Sequence, residues 1–159
     1  MAEFKTNVMR ILEKNGISYF PHKYDHKEGE ATDGITVASM LGENVDKVYK
    51  TLVTKSTDKK YFVFVIPAAE ELDLKKAAKA VQEKSVEMIP VKEINAVTGY
   101  IRGGCSPVGM KKGYPTVFSD RIQELDTIIV SAGKIGDQIE IQPADLLLLT
   151  NAAVADILK

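Results

Sequence analysis

A chain of 159 residues, 45% apolar and 27% charged, has the composition of one folded domain burying about two thirds of its unfolded surface, which excludes a disordered chain or two ordinary domains. The formal net charge of −1 excludes a broad basic coat for DNA or RNA, so any nucleic-acid contact must be local. One cysteine excludes an internal disulfide and a cysteine-based zinc site, and without an apolar run near ~20 residues or a signal-peptide pattern in MAEFKTNVMR, a cytoplasmic location with no membrane partner is expected.

In chain order, Val8, Ile11 and Leu12 recur at helical spacing behind a Thr6 or Asn7 cap and stop at Asn15-Gly16, which predicts a short amphipathic helix lying on a sheet. Ile17 to Tyr24 has strand composition, and Pro21 confines it to an edge. Asp25 to Gly34 is polar and glycine-bearing, a loop placed to rim a site. His22, Asp25 and His26 could be taken for metal ligands, but no helical spacing fixes them and no third histidine exists, so no metal is expected. A helix follows over Thr36 to Leu41, closed by Gly42, and Asn44 caps the next turn.

The stretch Val45 to Pro67, VDKVYKTLVTKSTDKKYFVFVIP, reads as two core strands around a polar turn, with a lysine where none is expected. Alternation puts Lys50 on the face of Val48 and Leu52, while Tyr49 and Val53 occupy the other, so neither face looks wetted. An ammonium there is either an ordinary edge lysine reaching water or a group aimed at a pocket or partner charge.

Beyond the hairpin, Asp73 caps a helix with an apolar stripe of Leu74, Ala77, Ala78 and Val81. Val86 to Ile89 resembles a short strand, and Pro90 opens a turn, VKEINAVTG. Gly103 to Gly109, GGCSPVG, has the glycines and Ser-Pro of a loop that can bring bare amide N–H groups against an anion or a carbonyl, although a plain turn has the same composition. The pairs Lys59-Lys60, Lys75-Lys76 and Lys111-Lys112 read as solvated surface. Strands are expected at Pro115 to Ser119, at Asp126 to Val130, whose apolar run suggests a central position, and at Gln138 to Gln142. Ser131 to Lys134 forms a flexible corner between the last two. Pro143 opens a helix through ADLLLLT, and Asn151 caps a last one reaching Leu158. The expected fold is a single α/β (α+β) domain over residues 1–159, with a mixed, barrel-like sheet of six or seven strands and short helices outside.

For chemistry, a Cys-His pair would need His22 or His26 to reach Cys105, and nothing in the sequence secures that; Cys105 is equally a small buried filler. Walker and dinucleotide fingerprints are missing and no cofactor is expected. The residues offer groups that hold a substrate in place rather than an acid, base or nucleophile.

KVYKTLV at 47 to 53, LDLKKAAKA at 72 to 80, KSVEM at 84 to 88, TGYIRGGCSPVGMKK at 98 to 112 and VSAGK at 130 to 134 together resemble the YbaK/EbsC family, over about Val8 to Ile157. The resemblance implies a barrel-like domain related to the editing domain inserted in bacterial prolyl-tRNA synthetases. It implies aminoacyl-tRNA deacylation, in the best-known branch the hydrolysis of Cys-tRNA(Pro) with the substrate's own thiol attacking its ester. Relatives act on Ala-tRNA(Pro) or other mischarged species, and a non-catalytic tRNA-binding module docking on a synthetase would use the same lysine.

The resemblance casts Lys50 and Gly103 as catalytic positions, without metal or cofactor. Thr51 belongs to the same motif as Lys50, although alternation turns its side chain away. Gly104 and Ser106 in the glycine loop, Ser131 and Gly133 in VSAGK, and Asp137 would bind substrate. Asp33 stands before Gly34 where the Cys-specific branch has phenylalanine, which changes stacking and charge at the loop covering the aminoacyl end. The implied partners are the 3′ end of aminoacyl-tRNA and prolyl-tRNA synthetase.

Overall fold

The computed structural model describes residues 5–25 and 34–159. Helix α1 (Asn7–Lys14) starts where Thr6 Oγ1 accepts a hydrogen bond from the Met9 N–H at 3.2 Å, and it buries Val8, Met9 and Leu12. Strand β1 (Tyr19–Lys23) and helix α2 (Gly34–Leu41) stand on either side of residues 26–33, which lie outside the described residues. A one-turn 3-10 segment, Val45–Lys47, capped by Asn44, then leads into the hairpin β2 (Tyr49–Ser56) and β3 (Tyr61–Pro67). Next come α3 (Leu74–Ala80), β4 (Val86–Met88), α4 (Ile94–Thr98), β5 (Thr116–Ser119), β6 (Ile128–Lys134), β7 (Asp137–Ile141), α5 (Pro143–Thr150) and β8 (Ala153–Ala155).

Mixed α/β composition is as expected, but the strands form two sheets and not one closed barrel. Among the described residues one sheet has the order β1-β7-β6, the other β4-β2-β3-β5-β8, and a single parallel bridge, Val48 to Ile129, links them. β3 is buried on both faces because the even and odd residues meet different cores. Val63 and Val65 pack with Val8, Phe118, Val130 and Ile139 between the sheets. Phe62, Phe64 and Ile66 pack with Ala77 and Ile157 beneath α3.

Four element-level expectations are corrected. Asn151 does not cap a last helix: it ends α5 in the left-handed conformation, at φ 52°, and the following residues pair in parallel with β5 as β8. The segment after Pro90 is not an open turn but a 3-10 turn, Val91–Glu93, running into α4. Ser131 to Lys134 does not break its strand: β6 continues to Lys134 through a register shift against β7, a bulge that absorbs the extra residues. Finally, β6 lies at the border of its sheet and β7 is central. Pro21 does sit on an edge strand, opposite Ile139.

Candidate active site

β2 lies between β4 and β3 in its sheet, yet it is not covered along its whole length. β4 pairs only with Thr54 to Ser56, with the Ile89 N–H reaching the Val53 carbonyl at 3.2 Å, and β6 is bridged only at Val48, just before β2 begins. Between them, from Tyr49 to Leu52, no strand lies along that side of β2 among the described residues. A cavity of about 740 Å³ opens there, lined by every residue from Val48 to Val53, by Met88, Ile89, Val91 and Ile94, and by Ser131 and Gln138. Arg102, Gly103 and Cys105 close it. Because an uncovered strand side exposes its backbone along with both sets of side-chain bases, Lys50 and Thr51 line the same space although alternation separates them.

Lys50 is half-buried, and among the described residues no carboxylate lies within ion-pair distance of its ammonium. Arg102 is exposed and likewise unpaired. No aspartate, glutamate or histidine is among the described lining residues. The cavity therefore carries uncompensated positive charge and favours an anionic ligand group.

The glycine loop is held from behind. Gly103 takes φ +84°, open to glycine without strain, and the Gly104 N–H donates to the Ile101 carbonyl at 3.0 Å, closing a tight turn. That turn uses the Gly104 amide, so the pair of amides anticipated for a carbonyl reduces to the Gly103 N–H. Gly104 is buried against the β6–β7 connection, where a Cβ would lie 3.1 Å from the Ile135 nitrogen and 3.2 Å from the Lys134 Cα. Ser106, fully buried, accepts a hydrogen bond from the Val108 N–H at 3.2 Å, and the Tyr100 hydroxyl donates to the Val108 carbonyl.

Lys50, Thr51, Gly103 and Ser131 are thus brought together around the cavity. Gly104, Ser106, Gly133 and Asp137 are not among its lining residues. Gly133, at φ +98°, packs beneath Tyr100 and donates its N–H to Ser131 Oγ at 3.1 Å, which fixes that hydroxyl at the cavity wall. Asp137 pairs across β1 and β7 with Lys23 at 3.9 Å. Asp33 and His26 lie outside the described residues.

Cys105 lines the cavity, but burial pushes its thiol up to about 11 despite a hydrogen bond with Thr98 that pulls the other way. It is protonated near neutrality and a poor nucleophile there. His22 gives it no base: His22 Nε2 lies 2.8 Å from Glu140 Oε1 instead.

Glu140 also accepts from Lys47 Nζ at 2.9 Å and from Thr127 Oγ1. Burial alone would raise its carboxyl, yet the hydrogen bonds from Thr127, Lys47 and His22 together hold it down at about 2. Glu43 lies near enough for the three ligand atoms of His22, Glu43 and Glu140 to fall within 4.8 Å, but the Lys47 ammonium already occupies that carboxylate. The sequence reading missed this cluster because its members are up to 118 residues apart. It also missed Arg102 and Gln138, for which a signal existed: Arg102 abuts Gly103, and Gln138 alternates with the inward Ile139.

A family model described as the aminoacyl-tRNA editing domain matches residues 29–149. A protein of Enterococcus faecalis, named provisionally as the Cys-tRNA(Pro)/Cys-tRNA(Cys) deacylase EbsC, is 46% identical over 157 residues, covering 96% of this chain and 93% of that one. Among solved structures, one described provisionally as a trans-editing enzyme for prolyl-tRNA synthetase superposes with a TM-score of 0.81 at 23% identity, over 99% of both chains. A scaffold used for computational epitope grafting superposes with a TM-score of 0.82 at 23% identity, over 96% of this chain and 94% of that one. At those identities the two structures share the fold. No helix among the described residues is long and apolar enough to cross a membrane.

Proposed function

Because the chain belongs to the family of aminoacyl-tRNA editing domains, we propose that it is a deacylase that hydrolyses mischarged aminoacyl-tRNA in trans, with Cys-tRNA(Pro) as its substrate. The observation that carries the reading is the cavity itself. It offers two unpaired cations and a free amide, while its one thiol is protonated and no carboxylate or histidine stands among the described lining. Such a site positions an ester and leaves the nucleophile to the substrate or to water.

For a cysteinyl ester the substrate thiol attacks its own carbonyl. The S–C bond forms, the C–O bond to the ribose breaks, and the ribose oxygen leaves with the proton given up by the thiol; water then opens the thiolactone to free cysteine. The Gly103 N–H donates to the carbonyl oxygen as it gains negative charge, and Lys50 holds the terminal ribose or its phosphate. Apolar groups from Val48, Val53 and Ile89 pack around the aminoacyl side chain. A second substrate, Ala-tRNA(Pro), has no thiol and would need water as the nucleophile. Discrimination between such small side chains gains only ~1–3 kcal/mol, so Asp33, which stands where the Cys-specific branch has phenylalanine, bears on the choice.

The test is to incubate the protein with labelled Cys-tRNA(Pro), Ala-tRNA(Pro) and Cys-tRNA(Cys) and follow loss of the ester. Rapid loss of cysteine and retention of alanine is expected. Loss of alanine alone would transfer the assignment to Ala-tRNA(Pro), and no loss above the spontaneous rate for any of the three would leave a non-catalytic tRNA-binding module.

A further inference from the structure

Met88 and Val91 are large apolar side chains with 45% and 55% of their surface exposed, and both line the mouth of the cavity. Each follows from local structure: Met88 ends the short strand β4, and Val91 opens the 3-10 turn behind Pro90. Neither is packed in any of the cores, so the shelf they form costs solvation unless something flat and apolar covers it. Arg102, exposed and without an ion pair, lines the same opening, whereas Lys50 is half-buried farther along β2.

We infer that this shelf and Arg102 form a second nucleotide subsite, in which the base preceding the terminal adenosine lies on Met88 and Val91 while Arg102 pairs with its phosphate. The inference rests on the deacylase reading and extends it upstream along the strand. The match is one of charge and shape. The occupant must bring an anion for a guanidinium and a flat ring for a thioether and a branched alkyl group, and a single-stranded nucleotide has both. A folded protein partner would need a carboxylate at the same spot but no ring, and a lipid surface would need more than one exposed cation.

The test measures equilibrium binding of the trinucleotide CpCpA and of adenosine alone, by fluorescence, independently of any hydrolysis. CpCpA should bind the wild-type protein about tenfold more tightly than adenosine. Arg102→Gln should cut that ratio severalfold, leaving what Lys50 contributes through the terminal phosphate, and lower the slope of log affinity against log salt by about 0.7, the value for one phosphate on a single strand. Arg102→Lys should keep the salt slope, and Met88→Ser with Val91→Ser should cut the ratio severalfold and keep the slope. A wild-type protein that binds CpCpA no better than adenosine, or an Arg102→Gln variant with ratio and slope unchanged, would overturn the subsite. A protein that shows the subsite but cleaves no ester would instead overturn the deacylase reading.

Discussion

Lys50 was legible as an anomaly because a cation between Tyr49 and Thr51 interrupts an apolar strand, and the cavity beside it gives that anomaly a place. Thr51 was less legible, since alternation turns its side chain away from that of Lys50, and only the uncovered side of the strand lets both residues border one space. Cys105 could be read either way from sequence, because burial, which decides its reactivity, is a tertiary property. Its thiol, raised to about 11 by burial and only partly lowered by Thr98, stays protonated across neutral pH. Cys105→Ser is therefore expected to keep its deacylation rate within about twofold, whereas Lys50→Ala should lose about a hundredfold or more, the scale of one preorganised transition-state contact. Single-turnover ester loss measures both, with circular dichroism to show that each variant is folded. A folded but inactive Cys105→Ser would remove the substrate-assisted mechanism.

At the scale of elements, the hairpin, the capped helices and the edge placement of β1 were legible because their signals are local: alternation, an aspartate or threonine at the cap, a proline in a strand. The β6 bulge was not, since the glycine in Ser131-Ala132-Gly133-Lys134 looks like a breaker until β7 supplies a partner. Nor was β8, where pairing with β5 overrides the helix propensity of Ala152-Ala153. Gly133→Ala tests the bulge. Its φ of +98° disfavours a side chain, and a Cβ would lie 3.0 Å from Tyr100 Cε1 and 3.2 Å from Val8 Cγ2, so a loss of about 1–3 kcal/mol in urea unfolding is expected. Deacylation should fall as well, because Ser131 is held by the Gly133 N–H. Glu140 ties β7 to β1 and to the turn before β2 through His22 and Lys47, contacts that no local pattern announces. Glu140→Gln keeps one acceptor oxygen but loses the charge and sets an NH2 donor against His22, Lys47 or Thr127, so a cost of about 1–3 kcal/mol is expected, the scale of hydrogen bonds to a charged, part-buried group. The pH dependence has a defined sign. With the folded carboxyl at about 2 against an ordinary value of 4.5, its contribution is complete above about 4.5 and is lost as pH falls toward 2. Chemical denaturation of wild type and variant between pH 7 and pH 3 should show the difference shrinking on the acid side; a constant difference would show that the ion pairs are not its source.

At the scale of the molecule, the failure of the two sheets to join is what makes the site. Had β6 continued along β2 beyond Val48, a closed barrel would have filled the space that Lys50 and Gly103 now line. The same architecture limits what the protein can read. With a net charge of −1 and only Lys50 and Arg102 unpaired in the cavity, it offers the tRNA end about two phosphate contacts, which on a single strand gives a salt slope near 1.4. That is enough to seat a terminus and too little to grip a tRNA body by electrostatics. Under the proposed function, identity of the tRNA should then come from a partner, and prolyl-tRNA synthetase is the candidate to test. The purified protein is expected to deacylate Cys-tRNA(Pro) and Cys-tRNA(Cys) at rates within about threefold, a difference below 1 kcal/mol. Adding prolyl-tRNA synthetase should raise the rate on Cys-tRNA(Pro) alone. A preference above about tenfold for tRNA(Pro) by the isolated protein, worth 1.4 kcal/mol, would instead require contacts to the tRNA body that the charge distribution does not provide.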